Sequence, residues 1–119
     1  MHSFKIPIRI VSESNINDHW TDKHKRKKIQ KTLIKWALRS QLKPNLPVVV
    51  TITRITPRAL DFDNLHGGMK TAIDTIADWL IPGLAPGRAD GDPRLEFKLE
   101  QRKGPPKEYS IEVSFSEKD

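Results

Sequence analysis

Apolar and polar positions alternate near the start of the chain, where Lys5, Pro7 and Arg9 separate Phe4, Ile6, Ile8 and Ile10. This is the period of a half-buried strand. Pro7 has no amide hydrogen to offer a neighbour, which predicts an edge position for the strand. A polar stretch over 12–22 follows, and the pattern turns helical from about Thr21 to Leu42, with Thr21 or Asp22 as cap and Pro44 and Pro47 beyond its end. Ile29, Leu33, Trp36 and Ala37 share one face of that helix and predict its buried side. Val48–Ile55, rich in β-branched residues, reads as a deeply buried strand. Met69, Ala72, Ile73, Ile76, Ala77 and Leu80 then recur at the spacing of an amphipathic helix that Pro82 and Gly83 stop. Two more alternating runs, Leu95–Leu99 and Tyr109–Phe115, flank Gly104, Pro105 and Pro106, and this link predicts a hairpin.

The order β-α-β-α-β-β predicts an α/β or α+β layered fold: a small mixed sheet with helices on one face. Its first two strands should run parallel through a right-handed crossover. At 119 residues the chain has room for a single domain, 1–119. No apolar run approaches the ~20 residues of a membrane helix. The opening residues hold no apolar stretch of the secretory kind, so a cytoplasmic protein with no membrane contact is expected. The absence of cysteine excludes a disulfide scaffold, thiolate zinc sites and cysteine catalysis.

Charge changes the picture once it is divided along the chain. Residues 1–60 carry 13 Lys and Arg against 3 Asp and Glu, whereas residues 61–119 carry 8 against 12, so the net +6 is the sum of +10 and −4. A chain polarised in this way presents a basic surface to a polyanion and keeps carboxylates elsewhere. The basic cluster is Lys23, Lys25, Arg26, Lys27, Lys28 and Lys31, flanked by His19, Trp20 and His24. Its cations wrap around a helix, which fits contact with phosphates without base readout. A solvated helix face, or docking on an acidic protein, would give the same composition.

The candidate chemistry lies in Leu60-Asp61-Phe62-Asp63-Asn64-Leu65. In extended backbone, side chains two apart point the same way, so Asp61 and Asp63 would converge. A like-charge pair of this kind calls for a hard divalent cation, and magnesium takes one or two carboxylates and leaves positions for phosphate oxygens. Asp92, in the Gly/Pro loop before the third strand, would complete a three-carboxylate set, with Asp90 as the other acid in that loop. Lys70, near the start of the second helix, would neutralise charge on a phosphate or assist an attacking water. The plainer readings are a helix N-cap for Asp63, a turn for Asp90–Asp92 and an i,i+4 pair with Asp74 for Lys70.

Asp61-Phe62-Asp63-Asn64-Leu65, the Lys70-Thr71-Ala72-Ile73-Asp74 helix and the Asp-containing loop before two final strands resemble the RusA-type Holliday junction resolvases. The opening strand, its Ser14-Asn15-Ile16-Asn17 loop and the basic segment are similar to that family as well. The resemblance implies a magnesium-dependent endonuclease, with manganese as a substitute ion, that nicks four-way DNA junctions as a homodimer. Asp61, Asp63 and Asp92 match the family's metal-binding carboxylates, and Lys70 matches its catalytic lysine. His66-Gly67-Gly68 departs from the pattern by inserting about three residues before Lys70. A Gly-Gly loop there would restore the lysine's position, whereas a continuous helix would carry Lys70 nearly two turns past Asp63. The alternative is a non-catalytic nucleic-acid-binding module on the same fold. For a dimer, Leu95–Leu99 and the second helix are the candidate interfaces.

Overall fold

The computed structural model describes residues 2–10, 20–60, 62–83 and 89–118, with the backbone alone described at 2, 20–23, 62 and 63. It is a mixed α+β fold with β1 (His2–Ile6), α1 (Trp20–Arg39), β2 (Val48–Thr56), α2 (Phe62–Leu80), β3 (Leu95–Lys103) and β4 (Ser110–Glu117). A short 3-10 turn, Ala89–Gly91, precedes β3. The four strands form one sheet in the order β1-β4-β2-β3. β2 pairs parallel to β3 and antiparallel to β4, and β4 pairs antiparallel to β1. β1 and β2 therefore point the same way, as expected, but β4 lies between them.

The expected hairpin does not form. β3 and β4 are not neighbours, because β2 sits between them. Burial explains this order. β2 is buried at every position except the half-exposed Thr51, so it needs a strand on each edge, while charged residues line β3 and suit it to an edge. β1 ends at Ile6, immediately before Pro7, and occupies the other edge. Ile8 and Ile10 lie beyond the strand but remain in the core.

Register puts one apolar set on the helix side of the sheet: Phe4 and Ile6, then Ile111, Val113 and Phe115, then Val48, Val50 and Ile52, then Leu95, Phe97 and Leu99. The other side carries Lys5, Glu112, Ser114, Glu96 and Lys98, so the sheet is covered by helices on one face only among the described residues. Gly104 closes the end of β3 onto β2, its amide donating to the Thr56 carbonyl at 2.9 Å. A Cβ at this position would stand 2.8 Å from Ile55 Cγ2, which only glycine avoids.

α2 buries Leu65, Met69, Ala72, Ile73, Ile76, Ala77 and Leu80, the face read from its spacing. It begins earlier than that spacing indicates, at Phe62, and runs unbroken through His66-Gly67-Gly68. The glycines cost about 1 kcal/mol each against alanine in a helix interior, a cost that the buried apolar face outweighs.

The buried side of α1 differs from the expectation. Ile29 and Trp36 are 61% and 67% exposed and Leu33 is 39% exposed, while Gln30, Ile34 and Leu38 point inward. The helix is rotated by about one residue, or ~100°, from the apolar stripe. Two interactions favour this setting. The Gln30 amide donates to the Arg9 carbonyl at 3.2 Å, giving a partner to a carbonyl beyond the end of β1. The same rotation turns Lys27 and Lys31 toward the carboxylates of α2.

This assignment predicts unequal losses of stability from two leucines five residues apart. Leu38→Ala should cost about 2–5 kcal/mol in urea unfolding. Leu33→Ala should cost less than about 1 kcal/mol.

Candidate functional site

A groove of about 440 Å³ opens between the two helices. α1 contributes His24, Lys27, Lys28 and Lys31 to one wall, and α2 contributes Thr71, Asp74, Thr75 and Asp78 to the other. The α2 residues follow from helix geometry. Positions 63, 67, 70, 74 and 78 stay within about 80° of one another around the axis and form a polar stripe that flanks the buried face of Met69, Ile73, Ile76 and Ala77. Gly67 lies on this stripe and is exposed, with no atom within 4 Å of where its Cβ would be.

Asp74 is the most unusual group in the groove. Its Oδ1 is buried without a hydrogen-bond partner among the described residues. Burial pushes its carboxyl above the ordinary carboxylate value, and the charges of Asp90 and Asp78 push the same way, while Lys70 and Lys27 oppose them. The 3-10 turn thus brings Asp90 within electrostatic reach of α2, from a segment 16 residues further along the chain.

Asp92 is engaged differently. Its Oδ1 accepts from the Arg94 amide at 2.9 Å and from Arg94 Nε at 3.0 Å, and its Oδ2 accepts from Arg94 Nη2 at 3.0 Å. These bonds hold its carboxyl down to about 2. Of the two acids in the loop, Asp90 acts on Asp74 while Asp92 caps the start of β3 against its own arginine.

The other sequence-derived residues separate into groups. Asp61 lies outside the described residues. Asp63 lies in the first turn of α2, so the two-apart convergence expected of extended backbone does not apply to it. The side chains of Asp63 and Lys23 are likewise outside the described residues. Lys70 is exposed and stands seven positions beyond Asp63 in an unbroken helix, on the same side and about 10 Å along the axis. Its charge acts on Asp74, one turn further on. Lys27, Lys28 and Lys31 line the groove, whereas Lys25 and Arg26 line a separate hollow with Pro7, Ile8, Ile29 and Leu33. Among the described residues, no three His, Asp or Glu side chains are grouped as ligands for one ion.

Sequence reasoning treated Asp74 as no more than a partner for Lys70, and it did not single out Thr71, Thr75 or Asp78. The signal was present in the spacing of Lys70, Asp74 and Asp78, three charges at i, i+4 and i+8 along one side of the apolar face. No protein-family profile matches the chain, and no curated protein is significantly similar to it.

The Asp74 environment predicts a pH effect of definite sign. A folded-state pKa above the ordinary 3.8 means that the folded chain binds more protons than the unfolded one between the two values, so stability falls as pH rises through that window. Asp74→Asn removes this loss. The variant should melt higher than wild type at pH 7, and the gain should disappear below 3.8.

Proposed function

We propose that the protein is a metal-dependent, structure-specific DNA endonuclease that hydrolyses phosphodiesters in branched DNA, with the four-way junction as its substrate. The observation that supports this reading best is the groove itself, in which a row of lysines faces carboxylates across a space open to solvent. Lys27, Lys28 and Lys31 suit a phosphate backbone, and the unbonded Asp74 oxygen, in the field of Asp90, adds negative charge to the facing wall about 16 Å along α2 from Asp63. Carboxylate oxygens fit magnesium, or manganese in its place, and exclude an ion that selects thiolates. Asp61 and Asp63 at the head of α2 would hold the ion, together with an acid of the 90–92 loop. Asp90 suits this role better than Asp92, which Arg94 already engages. The chemistry such an ion supplies is polarisation of the phosphoryl group and a lower pKa for the attacking water.

The chain's own residues would do the rest. The α1 lysines hold the DNA backbone along the groove, and Lys70, exposed on the carboxylate side, offsets charge that develops on the phosphate. Paired nicking of a two-fold symmetric junction needs two such sites, so we extend the proposal to a homodimer. Leu95 and the apolar face of α2 already lie in the core, and the large apolar side chains exposed for an interface among the described residues are Ile29, Leu33, Trp36 and Leu42. A second reading, a binding module without catalysis, is favoured by one observation, the commitment of Asp92 to Arg94.

A labelled four-way junction and a matched linear duplex, each with magnesium or chelator, separate the two readings. Symmetric magnesium-dependent nicks in the junction alone are expected, and binding without cutting would replace the nuclease by the module. Asp63→Asn should abolish cleavage and leave junction binding intact or tighter, and full activity in that variant would remove Asp63 from the site. Replacing both Lys27 and Lys28 by alanine should weaken binding to every DNA shape and flatten the salt dependence by a slope of up to about 2.

A further inference from the structure

The connection from β2 to α2 is held by a polar network. Gln101, on the helix side of β3, uses both ends of its amide on the backbone of one residue. Its Oε1 accepts from the Leu60 amide at 2.8 Å, and its Nε2 donates to the Leu60 carbonyl at 2.7 Å. The side chain acts here as a one-residue strand, giving Leu60 the pairing that β3 gives to β2. Arg54 stands opposite Gln101 in the register and is 6% exposed. Its Nη1 donates to Gln101 Oε1 at 3.3 Å, to Thr56 Oγ1 at 2.6 Å and to the Arg58 carbonyl at 2.7 Å, and its Nε donates to the Ile10 carbonyl at 3.1 Å. Thr56 Oγ1 also donates to the Arg58 carbonyl at 2.7 Å.

Every one of these acceptors is neutral, and no carboxylate pairs with Arg54 among the described residues. Burying a guanidinium in this way is unfavourable compared with filling the same space with an apolar side chain. What the network secures is the course of the backbone from Thr56 to Leu60, which leads to Asp61 and to the head of α2.

We propose that Gln101, held by Arg54, is a positioning residue for the carboxylate segment, acting by fixing the backbone of Leu60, the residue immediately before Asp61. The inference rests on the nuclease reading above, since it assigns those carboxylates to the ion. It adds two residues that do not touch substrate or metal, one on the strand that precedes the segment and one 41 residues beyond it.

The test compares wild type with Gln101→Met, which keeps the length and loses both amide bonds, and with Gln101→Glu, which can still accept from the Leu60 amide. Amide hydrogen exchange at Leu60, a Mn2+ titration followed by water-proton relaxation, junction affinity in chelator and junction cleavage are measured on the full chain. In Gln101→Met, Leu60 exchange should quicken by about tenfold or more. The Mn2+ midpoint should rise and cleavage fall by about tenfold or more, as for other residues that orient metal ligands. Junction affinity in chelator should stay within about twofold, because the groove lysines are untouched. Gln101→Glu should fall between the two on each readout, and it carries the test alone should Gln101→Met fail to fold. Wild-type Mn2+ midpoint and cleavage in a folded Gln101→Met, or an unchanged Leu60 exchange rate, would overturn the positioning role while leaving the nuclease intact. A wild-type chain that neither takes up Mn2+ nor cuts would overturn the nuclease reading and this inference with it, and it would be recognised by the failure of the wild type itself.

Discussion

The molecule depends on β2, a strand that is paired along both edges and buried along nearly its whole length. Its apolar residues, Val48, Val50 and Ile52, anchor the core, and the last inward positions of the same strand are the polar pair Arg54 and Thr56. That change in character marks the boundary between the part of the sheet that carries the helices and the part that steers the connections. Arg54 reaches the Ile10 carbonyl on one side and the Arg58 carbonyl on the other, so a single guanidinium ties the segment leaving β1 to the segment entering α2. Both the basic helix and the carboxylate segment follow from points that it holds.

The groove arises from two helices whose rotations are set by separate causes. α2 is oriented by its apolar face, which sets the charged stripe beside it along the groove that faces α1. α1 is oriented by Gln30, Ile34 and Leu38, and its remaining surface divides into two parts: lysines turned toward α2, and Ile29, Leu33 and Trp36 turned away. Opposite charges thus line the two walls of one groove, and their fields act on whatever enters it.

Much of this was legible in the chain. Period-two runs located three strands and a β-branched run located β2, and the Met69–Leu80 spacing identified the core face of α2 because every apolar residue on it had the same role. Four features were not legible, each because a non-local interaction decided it. The Gly104-Pro105-Pro106 turn marks a reversal of direction correctly, but it does not reveal that β2 intervenes between the strands it joins. On α1 the apolar stripe is sharper than the face that is buried, and the choice between them depends on the Arg9 carbonyl, 21 residues away, which takes the Gln30 amide. At the site, the sequence favours Asp92 because it directly precedes β3, and it gives no sign of Arg94 engaging that residue or of Asp90 acting on Asp74. A glutamine at position 101 gives no sign that its partner is 41 residues earlier.

The place of β4 has a consequence for how the protein comes to exist. β4 is last in the chain, yet it fills the gap between β1 and β2, the first two strands to be made. Until its residues leave the ribosome, β1 has no strand beside it and β2 has one open edge, so the early part of the chain meets the cell as unpaired β-structure. Closure requires contacts spanning more than 100 residues between His2 and Phe115, the kind of long loop that slows folding. The basic helix α1 emerges in this interval, and the like charges along it keep nascent chains apart at the stage when their open edges would otherwise join.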